Sequence, residues 1–298
     1  MRLALLLLVL CAACSSTASP TTAPAGDVTP PANEENGEES DGKEGETPKP
    51  SDPEKKSSGG SGGLACTKTE DLGGGRTACV AKLGSVEVKV VEGKGTGPLR
   101  LALYVHGDGA GAHKSNSALK TMLPWLDAQH GLGVSVLAPN GCAWWQKPSY
   151  DCSGSANAPD TNAENSKALL EALETLYTKR DIRLDGIAYY GSSGGSIFLT
   201  EEWLPLHGDA YSGVFALMCG GKKPRQSFAW DTNDAALVAK VPLFFTYGDQ
   251  DFLVPEIDEA ITALEGKKLS VTKKVIAGAQ HCAFNSHAEA VSIWEKAF

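Results

Sequence analysis

The chain predicts an α/β fold in which a mostly parallel sheet is covered by helices on both faces. From residue 98 onwards, short apolar runs typical of strands alternate with segments of helical periodicity, as in successive βαβ units. Residues 64–298 are sufficient for a single domain of this class, and they show no internal repeat. Candidate catalytic residues also follow the predicted strands, and ligands of parallel sheets bind at these carboxyl ends of the strands.

The strands are predicted from apolar runs that end at turn-forming residues. The ranges 77–81 and 85–91 predict a hairpin that turns at Gly84, because the valines of the second range alternate with charged residues. Buried strands are predicted at 98–105, 133–138, 213–218, 241–247 and 270–277, and in the apolar run that opens at Gly186.

Helices are predicted between these strands. The range 115–130 is helical in pattern, with a bend at Pro124 and an end at Gly131. The sequence Thr161-Asn162-Ala163-Glu164 is a capping box, and the residues after it are apolar at helical spacing. Further helices are expected at 255–264 and 285–296.

The segment Gly191-Ser192-Ser193-Gly194-Gly195 is the feature around which the other candidate residues are arranged. It follows a strand and opens a helix, and it matches the Gly-x-Ser-x-Gly nucleophile elbow with Ser193 at its apex. A sharp strand-to-helix turn requires neighbours without a Cβ two positions before and after the serine. Gly59–Gly63 matches the same pattern, but polar low-complexity sequence surrounds it, so it is interpreted as linker.

Partners for a serine nucleophile follow later strands. A serine hydroxyl needs a base, an acid that orients the base, and backbone donors for the oxyanion. His281 follows the last strand and is the candidate base, and Asp249 and Asp251 follow the strand before it. The turn that begins at His106 supplies candidate oxyanion amides.

Four motifs together resemble the α/β-hydrolase superfamily. They are the His106-Gly107 turn, the elbow Gly191–Gly195, a Gly-x-x-Asp-x-x-Val-Pro turn at Gly248–Pro255, and a Gly-x-x-His loop at Gly278–His281. They occur in the order that this superfamily shows. The resemblance implies an α/β-hydrolase fold and a serine hydrolase that needs neither a metal nor an organic cofactor.

The resemblance also assigns roles to individual residues. It implies Ser193 as nucleophile, His281 as base and Asp251, rather than Asp249, as the orienting acid. The amides of Asp108 and Gly194 are the implied oxyanion donors.

Within the superfamily, the chain looks most like the extracellular polyhydroxyalkanoate depolymerase and feruloyl esterase branch. That branch carries a Cys- and Trp-bearing loop after the strand that follows the oxyanion turn, here Cys142-Ala143-Trp144-Trp145. Trp144 and Trp145 are therefore candidate substrate contacts, with packing in the loop or core as the equal alternative.

The N-terminus is predicted to be an export signal. Arg2 precedes an unbroken apolar run that is too short to span a membrane. Small residues before Cys14 resemble the lipobox of bacterial lipoproteins, which implies a signal peptide over 1–13 and a lipid anchor on Cys14. An ordinary signal peptide cut near Ala13 is the alternative. Ser15 is not the aspartate that favours inner-membrane retention in such lipoproteins, so the outer membrane or cell surface is expected.

Residues 14–63 are predicted to be a disordered linker between the anchor and a catalytic domain at 64–298. The linker is rich in Pro, Ser, Thr, Gly and Glu, and it carries most of the chain's net charge of −9. Such a sequence cannot bury enough apolar surface to offset its ordering entropy. The domain itself has no basic patch, so no nucleic-acid partner is predicted.

Six cysteines in the domain predict disulfides, because the chain is expected to be exported. Sequence alone allows fifteen connectivities. Pairing of nearest neighbours predicts Cys66–Cys79 and Cys142–Cys152, which leaves Cys219–Cys282. A zinc site is the weaker alternative, because no Cys-x-x-Cys spacing occurs in the domain.

The remaining histidines are interpreted as structural or solvated. The place of His106 before Gly107 indicates a structural role, and His113 is expected in a solvated polar loop. His130 and His207 adjoin glycines, as helix-end residues often do. His287 is expected on the surface of the last helix.

The predicted function is carboxylic ester hydrolysis in the cell envelope, on a feruloyl, short-chain or polyester substrate. A serine peptidase on the same fold is an alternative, because acyl-enzyme chemistry serves esters and amides alike. A tethered binding lipoprotein without turnover is another. A metal-dependent hydrolase that uses His106, Asp108, Asp249 and Asp251 is a fourth interpretation, although it leaves the elbow unexplained.

Overall fold

A nine-stranded sheet organises residues 55–152 and 158–298, which are the residues that the computed structural model describes. In chain order its strands are β1 (Lys68–Gly73), β2 (Arg76–Leu83), β3 (Val86–Glu92), β4 (Arg100–Val105), β5 (Gly131–Val136), β6 (Ile187–Ser192), β7 (Gly213–Met218), β8 (Leu243–Gly248) and β9 (Val271–Ile276). Across the sheet the order is β1-β2-β3-β5-β4-β6-β7-β8-β9. The pairs β1–β2, β2–β3 and β3–β5 are antiparallel, and the other five are parallel, as predicted.

Helices cover both faces of this sheet. They are α1 (Gly111–Lys114), α2 (Ser117–Gln129), α3 (Glu164–Lys179), α4 (Gly194–Phe198), α5 (Leu204–His207), α6 (Ala235–Val238), α7 (Val254–Glu265) and α8 (Ser286–Ala297). A π-helical segment, Leu199–Trp203, joins α4 to α5. We call these three consecutive segments the elbow helix.

The central strand β4 shows how the sheet divides the apolar core. Leu101, Leu103 and Val105 belong to a buried cluster that also contains residues of α3, the elbow helix and α7. Ala102 and Tyr104 belong to a second cluster, with residues of α2 and α8. Successive side chains of a strand point to opposite faces, so a strand buried on both faces is apolar along most of its length, as β4 is after Arg100.

The strand β1 is absent from the sequence prediction. Its residues, Lys68 to Gly73, are mostly polar and exposed, and they lack the apolar alternation of a half-buried strand. β1 lies at the edge of the sheet and pairs only with β2 in the described part of the chain. Backbone pairing to one neighbour therefore forms this strand, together with the nearby disulfide Cys66–Cys79.

The capping box predicted at Thr161 does not form. The residue before α3 is Ala163, which adopts a left-handed conformation with φ 54° and makes no side-chain cap. Instead, the buried Asp160 carboxylate accepts a hydrogen bond from the amide of Asn165 at 2.6 Å. The carboxylate of Asp160, rather than the threonine hydroxyl, thus satisfies an amide in the first turn of α3.

The folded unit begins before the predicted boundary at Leu64. Ser57 forms a β-bridge with Arg183, and the Ser58 amide donates to the Ile182 carbonyl at 2.8 Å. The Gly59–Gly63 match to the elbow pattern lies in this irregular segment. The predicted signal peptide 1–13, the lipid anchor at Cys14 and the linker up to residue 54 lie outside the described residues. None of the described helices is both long and apolar enough to span a membrane.

The six cysteines of the domain form three disulfides, Cys66–Cys79, Cys142–Cys152 and Cys219–Cys282. These are the pairs that nearest-neighbour pairing predicts. The first joins the segment before β1 to β2, and the second closes the loop that carries the two adjacent tryptophans. The third joins the end of β7 to the loop after β9, and it therefore bears on the candidate site.

Candidate active site

The turn between β6 and α4 holds Ser193 in a strained backbone conformation. Its φ of 48° and ψ of −117° lie outside the regions that L-residues ordinarily occupy. A Cβ on Gly195 would overlap the carbonyl oxygen of Val105, and a Cβ on Gly191 would lie 2.8 Å from the Cα of Ser196. Both glycines are therefore required by close backbone approaches, as the elbow pattern predicts.

Ser193, His281 and Asp251 form a continuous chain of hydrogen bonds. Ser193 Oγ lies 2.9 Å from His281 Nε2. His281 Nδ1 lies 2.8 Å and 2.9 Å from the two carboxylate oxygens of Asp251. Because an ionised carboxylate only accepts, Nδ1 carries the imidazole proton and Nε2 is free to accept from the serine hydroxyl. The arrangement can thus remove a proton from Ser193 Oγ.

The two neighbouring aspartates of the turn after β8 have different surroundings. The Asp251 side chain is fully buried against His281 and also accepts from the Leu253 amide at 2.9 Å. Asp249 is exposed, and its carboxylate accepts from the Gly278 amide at 2.7 Å. The structure therefore places Asp251 against the candidate base and Asp249 against the backbone of the loop that carries this base.

A disulfide fixes the loop that carries His281. Cys282 follows His281 directly and is joined to Cys219, which comes after β7. Gly220, which follows Cys219, approaches Ser193 so closely that a Cβ on this glycine would overlap the carbonyl oxygen of Ser193. The crosslink therefore ties the base loop to a segment in contact with the elbow, which limits the movement of the imidazole away from Ser193.

The turn after β4 packs directly on the elbow. A Cβ on Gly107 would lie 3.2 Å from Ser193 Cβ, and a Cβ on Gly194 would overlap the Asp108 carboxylate. Gly194 begins α4, so its amide is among those that have no partner within the helix. The structure thus brings Asp108 and Gly194 together beside Ser193 Oγ, where their amides can receive a developing negative charge.

His106 has the structural role that its position indicates. It is fully buried, and the Ala138 amide donates to its Nε2 at 3.0 Å. Its Nδ1 lies 2.7 Å from the Gly107 carbonyl, so Nδ1 carries the proton of a neutral ring. This imidazole connects the turn after β4 to the segment that follows β5.

Two histidines that were expected to be solvated are not. His113 is buried, and its Nδ1 lies 2.8 Å from the Ser135 hydroxyl. His287 is half-buried between the hydroxyls of Ser117 and Tyr190, at 3.0 Å and 2.8 Å. Both rings form hydrogen bonds with hydroxyl groups that lie far away in the sequence. The residues next to each histidine therefore could not indicate that it is buried. His130 and His207 lie at helix ends, as expected.

We expect the protein to lose stability on acidification from pH 6.5 to pH 4. Burial lowers the pKa of both His106 and His113 from 6.5 to about 4. In this range the unfolded chain binds protons that the folded chain excludes, so each imidazole removes about 1.4 kcal/mol per pH unit. Chemical denaturation at several pH values measures the slope. His113→Gln should make it shallower, and an unchanged slope would contradict the assignment.

Of the two adjacent tryptophans, Trp144 lies in the core and Trp145 lies at the candidate active site. Trp144 is completely buried and packs against Phe198, with ring centroids 5.0 Å apart, so the predicted substrate contact is wrong for this residue. Trp145 is partly exposed, and its indole nitrogen donates to both carboxylate oxygens of Asp108, each at 3.0 Å. Trp145 therefore lies at the site, next to Gly194.

Phe252 is a site residue that the sequence analysis did not identify. Its side chain is 73% exposed, and its ring lies 4.5 Å from the His281 ring between centroids. This contact with the ring of the candidate base, rather than the exposure alone, places Phe252 at the site. An apolar residue directly after the acid in a surface turn is the sequence signal that could have indicated it.

The residues of the metal-dependent interpretation are not brought together. His106 faces a backbone amide and Asp249 faces another, while Asp251 faces His281. Within residues 55–152 and 158–298, no group of three or more His, Cys, Asp and Glu side chains has the geometry of a metal site. The geometry therefore favours nucleophilic chemistry at Ser193.

Comparison with solved structures relates the fold to known proteins. A carboxylesterase from Mesorhizobium loti superposes with a TM-score of 0.56 at 14% identity, over 74% of this chain and 98% of the other. The Bacillus cereus carboxylesterase superposes with a TM-score of 0.51 at 19% identity, over 71% and 95%. No protein-family model and no curated protein sequence matches the chain. The similarity confirms the fold expected from the sequence.

Proposed function

We propose that this protein, which has the α/β-hydrolase fold, is a carboxylic ester hydrolase that acts through a covalent acyl-enzyme. The observation that carries the proposal is the continuous Ser193–His281–Asp251 hydrogen-bond chain, with distances of 2.9 Å and 2.8 Å, at a strained elbow. A serine hydroxyl is activated when it forms a hydrogen bond to a base and this base forms a second hydrogen bond to a buried carboxylate.

The reaction follows from this arrangement. Ser193 Oγ attacks the ester carbonyl as its proton moves to His281 Nε2, and Asp251 stabilises the imidazolium. The amides of Asp108 and Gly194 hold the oxyanion of the tetrahedral intermediate. His281 then protonates the departing alcohol. A water molecule, deprotonated by the same imidazole, hydrolyses the acyl-enzyme and regenerates Ser193.

The proposed substrates are short-chain, feruloyl or polyester compounds, in line with the motif resemblance. The two aromatic rings at the site, Trp145 and Phe252, support an ester with an apolar or aromatic portion. We further propose that the enzyme works in the cell envelope, anchored by lipid on Cys14, with the acidic segment after it as a tether. Metabolic labelling with a fatty-acid analogue, compared with Cys14→Ser, tests the anchor.

Reaction with a fluorophosphonate tests the nucleophile directly. We expect one covalent adduct on Ser193, because only a base-activated hydroxyl reacts rapidly with this electrophile. Mass spectrometry of the labelled, disulfide-intact chain identifies the modified peptide. Ser61→Ala, which removes the serine of the second Gly-x-Ser-x-Gly match, should label like the wild type. A folded protein without an adduct on Ser193 would refute the proposed function.

A further inference from the structure

The oxyanion turn carries a carboxylate that the proposed reaction does not use. The Asp108 side chain extends over Gly194, so that a Cβ on that glycine would overlap Asp108 Oδ1. The Trp145 indole donates to both carboxylate oxygens and holds the group in place. Asp108 remains exposed to solvent, so a bound substrate can reach it.

No cation in the described part of the chain neutralises this carboxylate through an ion pair. The nearby ammonium group of Lys114 donates to the Gly109 carbonyl at 2.9 Å instead. The indole N–H of Trp145 is a neutral donor. The surrounding protein displaces part of the water around the carboxylate, which raises the pKa of Asp108. A cation would therefore be attracted here more strongly than at a fully hydrated aspartate.

This negative charge has a consequence for ester hydrolysis. Negative charge develops on the carbonyl oxygen, which must lie next to the amides of Asp108 and Gly194. A second negative charge beside it opposes that development. The imidazolium that forms on His281 offsets part of this repulsion, and a positive charge on the substrate would offset more of it. A cationic group near the scissile carbonyl would offset the repulsion and bind Asp108 in both the ground state and the transition state.

We propose that the Asp108 carboxylate, held by Trp145, makes the site selective for esters that carry a cationic group close to the scissile carbonyl. Asp108 contributes its amide to the oxyanion site and its side chain to substrate choice. Trp145 acts on specificity through Asp108 and is therefore a positioning residue. The inference rests on the proposed ester hydrolase function and names the substrate class of that same site.

Isosteric ester pairs that differ only in charge test this selectivity. Acetylcholine is compared with 3,3-dimethylbutyl acetate for a charge on the alcohol side. Ethyl trimethylammonioacetate is compared with ethyl 3,3-dimethylbutanoate for a charge on the acyl side. Acid release in a pH-stat gives kcat/KM for each ester. We expect the cationic-to-neutral ratio, in at least one pair, to fall about tenfold in Asp108→Asn, which keeps the shape and loses the charge.

Two further variants serve as controls. One tests the Trp145 hydrogen bonds that hold the Asp108 carboxylate, and the other tests whether any loss of negative charge from the protein has the same effect. Trp145→Phe keeps a ring but loses the indole donor, so its ratio should fall in the same direction and by less. Glu265→Gln removes an exposed charge at the end of α7 and should keep the wild-type ratio.

If the wild type and Asp108→Asn both hydrolyse the neutral esters and show the same cationic-to-neutral ratio of kcat/KM in both pairs, the inference is overturned. The ester hydrolase function would then still stand. Failure of the wild type to hydrolyse any of the four esters, with no fluorophosphonate adduct on Ser193, would instead refute the proposed function and the inference with it.

Discussion

Ser193→Ala is expected to lower kcat for ester hydrolysis by at least about 10⁴-fold, the largest effect of any single change in this protein. The substitution removes the only oxygen placed 2.9 Å from His281 Nε2 among the described side chains. Binding and the oxyanion amides then supply whatever activity remains. Steady-state kinetics on a short-chain ester, with the unfolding midpoint as a check of folding, gives the result.

The same experiment shows whether Ser193 and His281 act as a unit. His281→Ala alone should cost nearly as much as Ser193→Ala, and the double variant should cost no more than either, because each removes the same covalent pathway. Effects that multiply would mean that the two residues act independently. Such a result would contradict the proposed transfer of the serine proton to His281.

Gly195→Ala is expected to destabilise the fold by about 3 kcal/mol and to remove most of the activity. The added methyl group would overlap the Val105 carbonyl oxygen, which belongs to the central strand β4. Backbone cannot rotate away as a flexible side chain can, so the elbow and β4 must separate. Chemical denaturation measures the loss of stability, and ester hydrolysis measures the loss of activity.

Gly111→Ala is the matched control for this prediction. Gly111 lies at the start of α1 with a helical φ of −57°, and nothing lies within 4 Å of where its Cβ would be. The same chemical change should therefore be neutral or stabilise the protein by up to about 1 kcal/mol. Equal destabilisation of the two variants would show that the close approach at Gly195 is not the cause.

The elements with strong local patterns were predictable from the sequence. The buried strand β7 is apolar throughout, and β4 is apolar after Arg100. The apolar residues of an amphipathic helix such as α7 recur with a period of 3.6 residues. Neighbouring residues alone therefore reveal these elements. β1 was not predictable, because its mostly polar residues show no strand pattern, and pairing to β2 with the nearby disulfide forms the strand. The start of α3 was mispredicted because Asp160, rather than Thr161, satisfies its first turn.

The chain by itself determined which residues meet at the candidate site. Parallel strands end at one edge of the sheet, so Ser193, Asp251 and His281, each within a few residues of a strand end, had to lie near one another. The tertiary structure alone decided which adjacent side chain faces the site. Trp144 is buried while Trp145 reaches Asp108, and Asp251 reaches His281 while Phe252 covers its ring. Neighbours in an irregular turn share a sequence signal but point in different directions, and only packing between distant elements determines those directions.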